Sequence, residues 1–191
     1  MEKLNEYYDR LKNALNSGVD FEERNFDRSH NAMVMRLMLE NSEEIFMFCG
    51  EMSIFRKSFY DEIRKKSQEE GDRLEEMMRQ ALSNFLDKKK AKINIILQNY
   101  STDYFDTLIV DKNRFLKNAK IYALPMLEYD GYKESVKQIN HFSYTKDRRI
   151  SRWEVDMTEH EANVAIGPNQ EPTEIPMRIF NVLKKGALQI N

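Results

Sequence analysis

Two short apolar segments flank a long helical segment, and this order constrains the fold more than any other feature of the chain. Residues 44–50 (EIFMFCG) and 92–98 (KINIILQ) are apolar and bounded by polar residues, which is typical of strands buried on both faces. The intervening segment, 55–90, carries apolar residues at helical spacing, and Gly71 is expected to divide it into two helices. The order strand, helix, strand predicts a parallel pair joined by a crossover connection.

The rest of the chain alternates between helical and extended patterns. Ser29 is a good N-cap and is expected to begin a helix that ends near residue 42. The other elements predicted before residue 128 are an amphipathic helix over 2–16, a charged connector over 19–28, short helices within 104–118 and a strand over 120–127. Beyond a polar loop, three strand patterns at 141–145, 150–155 and 161–167 precede a final helix capped by Thr173.

These elements predict an α/β fold with a mixed β-sheet flanked by helices, ending in a C-terminal strand cluster and a final helix. Its 191 residues suit one domain. We expect an N-terminal helix and connector over 1–28 and a single α/β domain over 29–191.

Charge and cysteine usage exclude several classes of protein. The net charge is −2, so no overall basic field favours nucleic acid, although the lysine run at 88–92 leaves a local patch open. Cys49, the single cysteine, excludes an intrachain disulfide and is expected to be a buried strand thiol. The apolar runs are too short to span a bilayer, and the start of the chain does not resemble a signal peptide. A cytoplasmic protein without membrane contact is expected, and the composition favours a bacterial or phage source.

Polar side chains concentrate on the strand cluster near the C-terminus. His141 lies in the first strand pattern, whereas Arg152 and Glu154 share one face of the second. If these strands pair, the three side chains come together, and Trp153 points to the opposite face. A phosphohistidine reaction needs such a group: a neutral histidine, an orienting acid and cations for the phosphoryl oxygens. A purely structural polar network is the alternative interpretation of the same residues.

The order of elements over 29–187 resembles one half of a phospholipase D superfamily enzyme. That family carries the motif His-x-Lys-(x4)-Asp, and the segment 141–147 reads HFSYTKD. His141 matches the histidine of the motif. Ser143 stands where the lysine is expected, and Asp147 comes one residue early.

The resemblance implies roles for the polar residues. In the family the histidine attacks phosphorus, the lysine binds the phosphoryl oxygens and the acid orients a histidine. Here His141 would be nucleophile or base, Glu154 would orient it, and three cations would bind phosphate: Arg149, Arg152 and Lys146. Because the family pairs two halves or two subunits around one site, a homodimer is implied.

The missing motif lysine favours a domain without catalysis. The leading hypothesis is therefore an accessory or regulatory protein that binds a phosphate-bearing ligand, nucleic acid or nucleotide, or a protein partner. The alternative is an active, metal-independent phosphodiesterase or nuclease working as a homodimer. A third interpretation is a helical interaction protein that binds its partner through 56–90.

Metal and cofactor motifs are not found in the sequence. His30 and His160 are isolated, and no pair of histidines has the spacing of a metal site on a helix. Glycine-rich dinucleotide and P-loop motifs do not occur either. We therefore predict no metal and no cofactor.

Overall fold

The computed structural model describes residues 2–125, 139–147, 149–156 and 160–191. Eight strands are formed by these residues. In chain order they are β1 (Phe21–Asn25), β2 (Glu44–Cys49), β3 (Lys92–Leu97), β4 (Ala119–Ala123), β5 (Phe142–Thr145), β6 (Ile150–Asp156), β7 (Glu161–Ile166) and β8 (Leu188–Gln189). They form one sheet in the order β1-β7-β6-β5-β2-β3-β4-β8. Strands β2, β3 and β4 are parallel, and the other neighbouring pairs are antiparallel.

Helices cover both faces of this sheet. They are α1 (Glu2–Ser17), α2 (Arg28–Asn41), α3 (Lys57–Arg64), α4 (Gln68–Leu86), α5 (Lys112–Asn118) and α6 (Glu171–Gly186), with short 3₁₀ turns at Ser53–Phe55 and Thr102–Thr107. The first five pack into one large apolar cluster on the front face, and α6 packs into a smaller aromatic cluster on the back face. The predicted α/β class, a mixed sheet flanked by helices, is confirmed. Within the described residues, every helix is too short or too polar to cross a bilayer.

The parallel pair predicted from the two apolar segments is confirmed. Strands β2 and β3 align Ile45 with Ile93 and continue in register to Cys49 and Leu97. Strand β4 adds a third parallel strand beside β3. It ends at Ala123, two residues before Pro125, because proline cannot donate a ladder hydrogen bond. The predicted continuation through residues 126 and 127, and most of the polar loop after it, lie outside the described residues.

The division of the long helical segment differs from the prediction. The break falls at residues 65–67, where Ser67 caps α4, and Gly71 lies inside the first turns of that helix. A β-carbon on Gly71 would lie 2.9 Å from the backbone nitrogen of Arg64. Glycine is therefore needed here because α3 and α4 approach each other closely, and not because it ends a helix.

The N-terminal segment contributes to the same sheet and core. Residues 21–25, predicted as connector, form edge strand β1 and pair with β7, so the connector prediction is wrong there. The β pattern was hard to recognise because three of the five residues are charged. Helix α1 packs against α2, which places its apolar stripe in the main core.

Two predicted helix starts are also wrong. Asp27, not Ser29, is the N-cap of α2, because its carboxylate accepts from the backbone N–H of His30 at 2.9 Å. Ser29 instead donates to the carboxylate of Glu70 on α4 at 2.6 Å. Helix α6 begins at Glu171, so Thr173 lies buried in its first turn and does not cap it.

Candidate ligand-binding cleft

A cleft opens at the carboxyl end of β2, where the sheet changes from parallel to antiparallel pairing. Its volume is about 330 Å³, and its walls come from the end of β2, the turn after it, the first turns of α2 and α3, and the β5–β6 pair. On one side of β2 lies parallel β3, and on the other lies antiparallel β5. In open α/β sheets ligands bind outside the carboxyl ends of the strands at such a change in strand order.

Pairing of β5 with β6 brings three predicted site residues into this cleft. Ser143 lies opposite Arg152, and the carbonyl of His141 accepts from the backbone N–H of Glu154 at 2.8 Å. The Nδ1 atom of His141 lies 2.9 Å from Oε2 of Glu154. On the other side of the carboxylate, Nη2 of Arg152 donates to Oε1 at 3.2 Å. His141, Glu154 and Arg152 thus form one ion-paired group, as the strand-pairing argument predicts.

Burial sets the electrostatics of this group. The Glu154 side chain is 5% exposed and the Arg152 side chain 12%. Burial alone would raise the pKa of Glu154, but contacts with His141, His160 and Arg152 hold it well below its usual range. For Arg152, burial lowers the pKa and the Glu154 carboxylate opposes that change. The carboxylate is therefore ionised and compensates the buried guanidinium.

Asn31 on α2 completes the coordination of Arg152. Its Oδ1 atom accepts from Nε of Arg152 at 2.7 Å and from Nδ2 of Asn25 on β1 at 2.7 Å. The Arg152 guanidinium therefore has protein partners at Nε and at Nη2. Because these partners are protein groups, Arg152 is a structural cation of the cleft wall.

Two of the predicted phosphate-binding residues lie outside the cleft. Strand β5 runs away from His141, so the turn after it sits at the opposite end of the sheet. There Lys146 pairs with Glu44 at 2.9 Å, and Arg149 donates to the carbonyl of Leu15 at 2.7 Å. The structure corrects their assignment to a common site with His141, because the length of β5 separates them from it.

Two residues near His141 and Glu154 were missed by the sequence analysis. Gln98, which directly follows β3, places Oε1 3.3 Å from Nε2 of His141. His160 brings Nδ1 to 3.8 Å from Oε1 of Glu154, although its spacing made it look isolated. Gln98 was recognisable as a polar residue at the carboxyl end of a parallel strand. His160 carried no such signal, since its position depends on the β6–β7 connection.

Backbone conformation at the cleft is also unusual. In the described residues, positive φ at a residue other than glycine occurs at Met52 (46°) and His160 (61°). Both side chains line the cleft. Such conformations cost free energy and concentrate at binding sites.

Arg28, at the first position of α2, is the cation of the cleft that remains available. Its guanidinium carbon lies 5.6 Å from the ring centre of Phe59, and among the described residues it has no carboxylate within ion-pair distance. Two acids, Glu51 and Glu62, line the same cleft, and each has another cation as its ion-pair partner: Glu62 pairs with Lys65 and Glu51 with Arg56. The α2 N-terminus adds a favourable dipole for an anion at this position.

The cleft offers limited chemistry for catalysis. Contact of Nδ1 with Glu154 leaves Nε2 of His141 facing Gln98 and Gly50, where an added β-carbon would lie 3.5 Å away. Cys49 also lines the cleft, but burial raises the pKa of its thiol to about 12, so it is not a thiolate at neutral pH. Within the described part of the chain, no group of three or more metal-binding side chains is found.

Comparisons with known proteins define the fold but not a family. No family model and no curated protein matches the sequence. The structure is similar to TrmBL2, an archaeal chromatin protein reported to show a novel mode of DNA binding, with a TM-score of 0.56 and 11% sequence identity. The match covers 99% of this chain and 62% of TrmBL2. At this identity the similarity shows a shared fold alone.

Proposed function

We propose that this protein is a non-catalytic binding domain, similar to one phospholipase D half, whose cleft takes a small phosphate-bearing ligand of nucleotide size. The observation that carries the proposal is the Arg28 guanidinium, which has no ion pair among the described residues and lines the same cleft as His141 and His160. In this proposal the domain is an accessory or regulatory unit of a bacterial cytoplasm, and it acts as a homodimer or with a protein partner.

Size and charge of the cleft support a small anionic ligand. A volume of about 330 Å³ lies within the range of about 300–1,000 Å³ typical of small-molecule sites. Arg28 can donate to a phosphate, and the hydroxyl of Ser58 lies on the same wall. With Arg152 compensated by Glu154, Arg28 is a lining cation without an ion pair among the described residues, and the lining acids Glu51 and Glu62 keep the net positive charge of the cleft small. One phosphate group therefore suits the cleft better than a polyphosphate chain.

Catalysis is disfavoured because cations for the transition state are lacking. Ser143 occupies the position where the resembled motif has lysine, and the Arg152 guanidinium is held by Glu154 and Asn31. Phosphoryl transfer depends on positive groups that stabilise the equatorial oxygens. Arg28 alone is a weak substitute for that arrangement.

One observation favours the alternative of an active phosphodiesterase or nuclease. Glu154 contacts Nδ1 of His141 and orients the ring. Nε2 would then act as nucleophile or base once its contact with Gln98 opens. A homodimer that joins two clefts would bring a second set of cations. The reaction in this alternative is metal-independent, because a phosphohistidine intermediate forms without a metal.

DNA and RNA are further candidate ligands for the cleft. TrmBL2 is described as binding DNA, and a protein of similar fold that binds nucleic acid would use a basic surface. The net charge of −2 and the small volume of the cleft favour a nucleotide or a strand end over a duplex.

The binding experiment compares two arginine variants. Isothermal titration with inorganic phosphate, AMP, GMP and a single-stranded oligonucleotide measures affinity for wild type, Arg28→Ala and Arg178→Ala. Arg178 is the control, because it lies on α6 behind the sheet and pairs only with Glu174 at 3.1 Å among the described contacts. We expect at least one phosphate-bearing ligand to lose tenfold or more in affinity with Arg28→Ala and to keep it with Arg178→Ala. Equal affinities in the two variants would contradict the proposed ligand mode.

A cleavage assay separates the two functional hypotheses. Labelled single- and double-stranded DNA and RNA are incubated with wild type and His141→Ala, with and without EDTA. We expect no cleavage by either protein. Cleavage that persists in EDTA and disappears in His141→Ala would replace the binding domain by the active enzyme.

A further inference from the structure

A second cavity lies on the back face of the sheet, opposite the cleft. It has a volume of about 240 Å³ and runs between the first turns of α6 and the outer strands β6, β7 and β1. Trp153 lines it, because this residue alternates with Arg152 and Glu154 along β6 and points away from the cleft. We call this cavity the Trp153 groove.

The surroundings of the Trp153 groove expose apolar surface. Ile175 lines the groove and is 62% exposed, and Val155, two residues after Trp153 in the chain, is 37% exposed. Pro172 and Pro176 complete the helical wall. Contiguous apolar surface with polar edges is typical of sites that bind another chain.

Charge at the groove is of one sign. Glu22 on β1 and Glu171 at the start of α6 line it, and no lysine or arginine does so among the described residues. Neither carboxylate has an ion-pair partner in the described structure. Arg24, the nearest cation along β1, is paired with Glu161. An occupant with positive charge would therefore complement the groove, whereas an acidic one would be repelled.

We propose that the Trp153 groove binds an extended, basic segment of a partner protein, with an apolar side chain beside a lysine or arginine. The apolar side chain would pack against Trp153 and Ile175. The cation would lie between Glu22 and Glu171, within reach of the Trp153 ring, since aromatic faces attract cations. This proposal is independent of the ligand in the cleft, because the sheet separates the two cavities.

Intrinsic fluorescence tests the proposal directly, because Trp153 is the only tryptophan of the chain. The full-length protein is titrated with the peptide Ac-Gly-Arg-Ile-Arg-Gly-amide and with Ac-Gly-Glu-Ile-Glu-Gly-amide as the charge-reversed control. We expect a saturable change in emission with the basic peptide only. Its apparent affinity should fall as salt concentration rises.

Variants of groove residues test whether the change in tryptophan emission comes from binding in the Trp153 groove. The double substitution Glu22→Gln with Glu171→Gln should weaken binding of the basic peptide at least fivefold, and Ile175→Ser should weaken it similarly. Glu174→Gln is the matched control, because Glu174 lies on the same helix but does not line the groove, and it should leave the affinity unchanged. All of these side chains are exposed or partly exposed, so the variants are expected to fold.

Three results would overturn the proposal. The first is no change in emission with the basic peptide. The second is a lack of selectivity, shown by an equal response to the two peptides or by an equal response of wild type and the double variant to the basic peptide. The third is a concentration-dependent dimer in sedimentation velocity that Ile175→Ser abolishes, since the groove would then hold a second copy of this chain. Equal phosphate affinities of Arg28→Ala and Arg178→Ala would contradict the proposed cleft ligand but would leave the peptide result unchanged, so failures of the two proposals are distinguishable.

Discussion

The two faces of strand β6 carry different kinds of side chain, because charged and aromatic residues alternate along the strand. On the front, Arg152 and Glu154 are buried charges that depend on each other and on His141. On the back, Trp153 stacks on Phe142 at a centroid distance of 5.6 Å in an aromatic cluster. One strand can therefore stabilise the fold through one face and hold a preorganised polar site on the other, because side chains alternate with period two.

The back face gains stability from apolar burial and ring contacts. Phe46 stacks on Tyr144 at 4.9 Å, and Phe180 of α6 meets both rings edge-on. Such pairs add about 0.5–1.5 kcal/mol beyond the area that they bury. The front group adds little net stability, because the desolvation of two charges offsets their attraction. It instead determines how the cleft is shaped.

The largest expected effect comes from breaking the front ion pair. Glu154→Ala leaves the Arg152 charge buried and uncompensated, so we expect the free energy of unfolding to fall by about 3–5 kcal/mol. Urea denaturation measures this change. The double variant Glu154→Leu with Arg152→Met should recover most of the loss, and a double variant as unstable as the single one would contradict the assignment of the cost to the unpaired charge.

A back-face truncation should have the next largest effect. Leu183 is buried on α6 against the aromatic cluster, and Leu183→Ala is expected to lower the free energy of unfolding by about 2–3 kcal/mol through lost burial and a cavity. Cleft binding measured by titration should be unchanged in the folded variant. If the affinity for phosphate ligands fell as well, the two faces would not be independent.

Loss of the α2 N-cap should have a smaller effect. Asp27 accepts from the backbone N–H of His30, and Asp27→Ala is expected to cost about 1 kcal/mol in thermal or urea unfolding. Asp27→Asn keeps a capping oxygen and should cost only a few tenths of that. Equal losses in the two variants would mean that the charge of Asp27, rather than its cap, stabilises the start of α2.

Mild acid should produce the smallest effect. Because the pKa of Glu154 is lower in the folded protein than in the unfolded chain, its contribution is complete at neutral pH and is lost as pH falls below about 4.3 toward the folded pKa. By pH 4 the expected loss is about 0.5 kcal/mol from this residue. Comparing wild type with Glu154→Gln between pH 6 and 3.5 isolates it, since the variant lacks this group. Parallel pH profiles would contradict the folded-state shift.

Much of the fold was predictable because it depends on local patterns. The apolar runs of β2 and β3 predict buried strands, and the helical pattern between them predicts a crossover connection, so their parallel pairing followed. Strand β1 was missed because an edge strand needs few apolar residues, and its charged side chains read as a connector. The helix break was misplaced because Gly71 serves a close helix contact that no local pattern reveals.

The candidate site was predictable only in part, for a similar reason. The grouping of His141, Arg152 and Glu154 followed from alternation and pairing of adjacent strands. Gln98 contacts His141 from the end of β3, and Arg28 lines the cleft from α2; both lie far from those strands in the chain. Exclusion of Lys146 and Arg149 depended on which end of β5 faces the cleft, and sequence spacing does not report it.

By itself, the sequence determined the class of fold and the alternation that sends Trp153 and its neighbours to opposite faces, because periodicity and burial act over a few residues. The tertiary structure alone decided which cations are available. Arg152 is satisfied by Glu154 and Asn31, whereas Arg28 is not paired among the described residues. The charge that a buried side chain can offer to a ligand depends on the partners brought to it by distant segments, and that arrangement exists only in the folded chain.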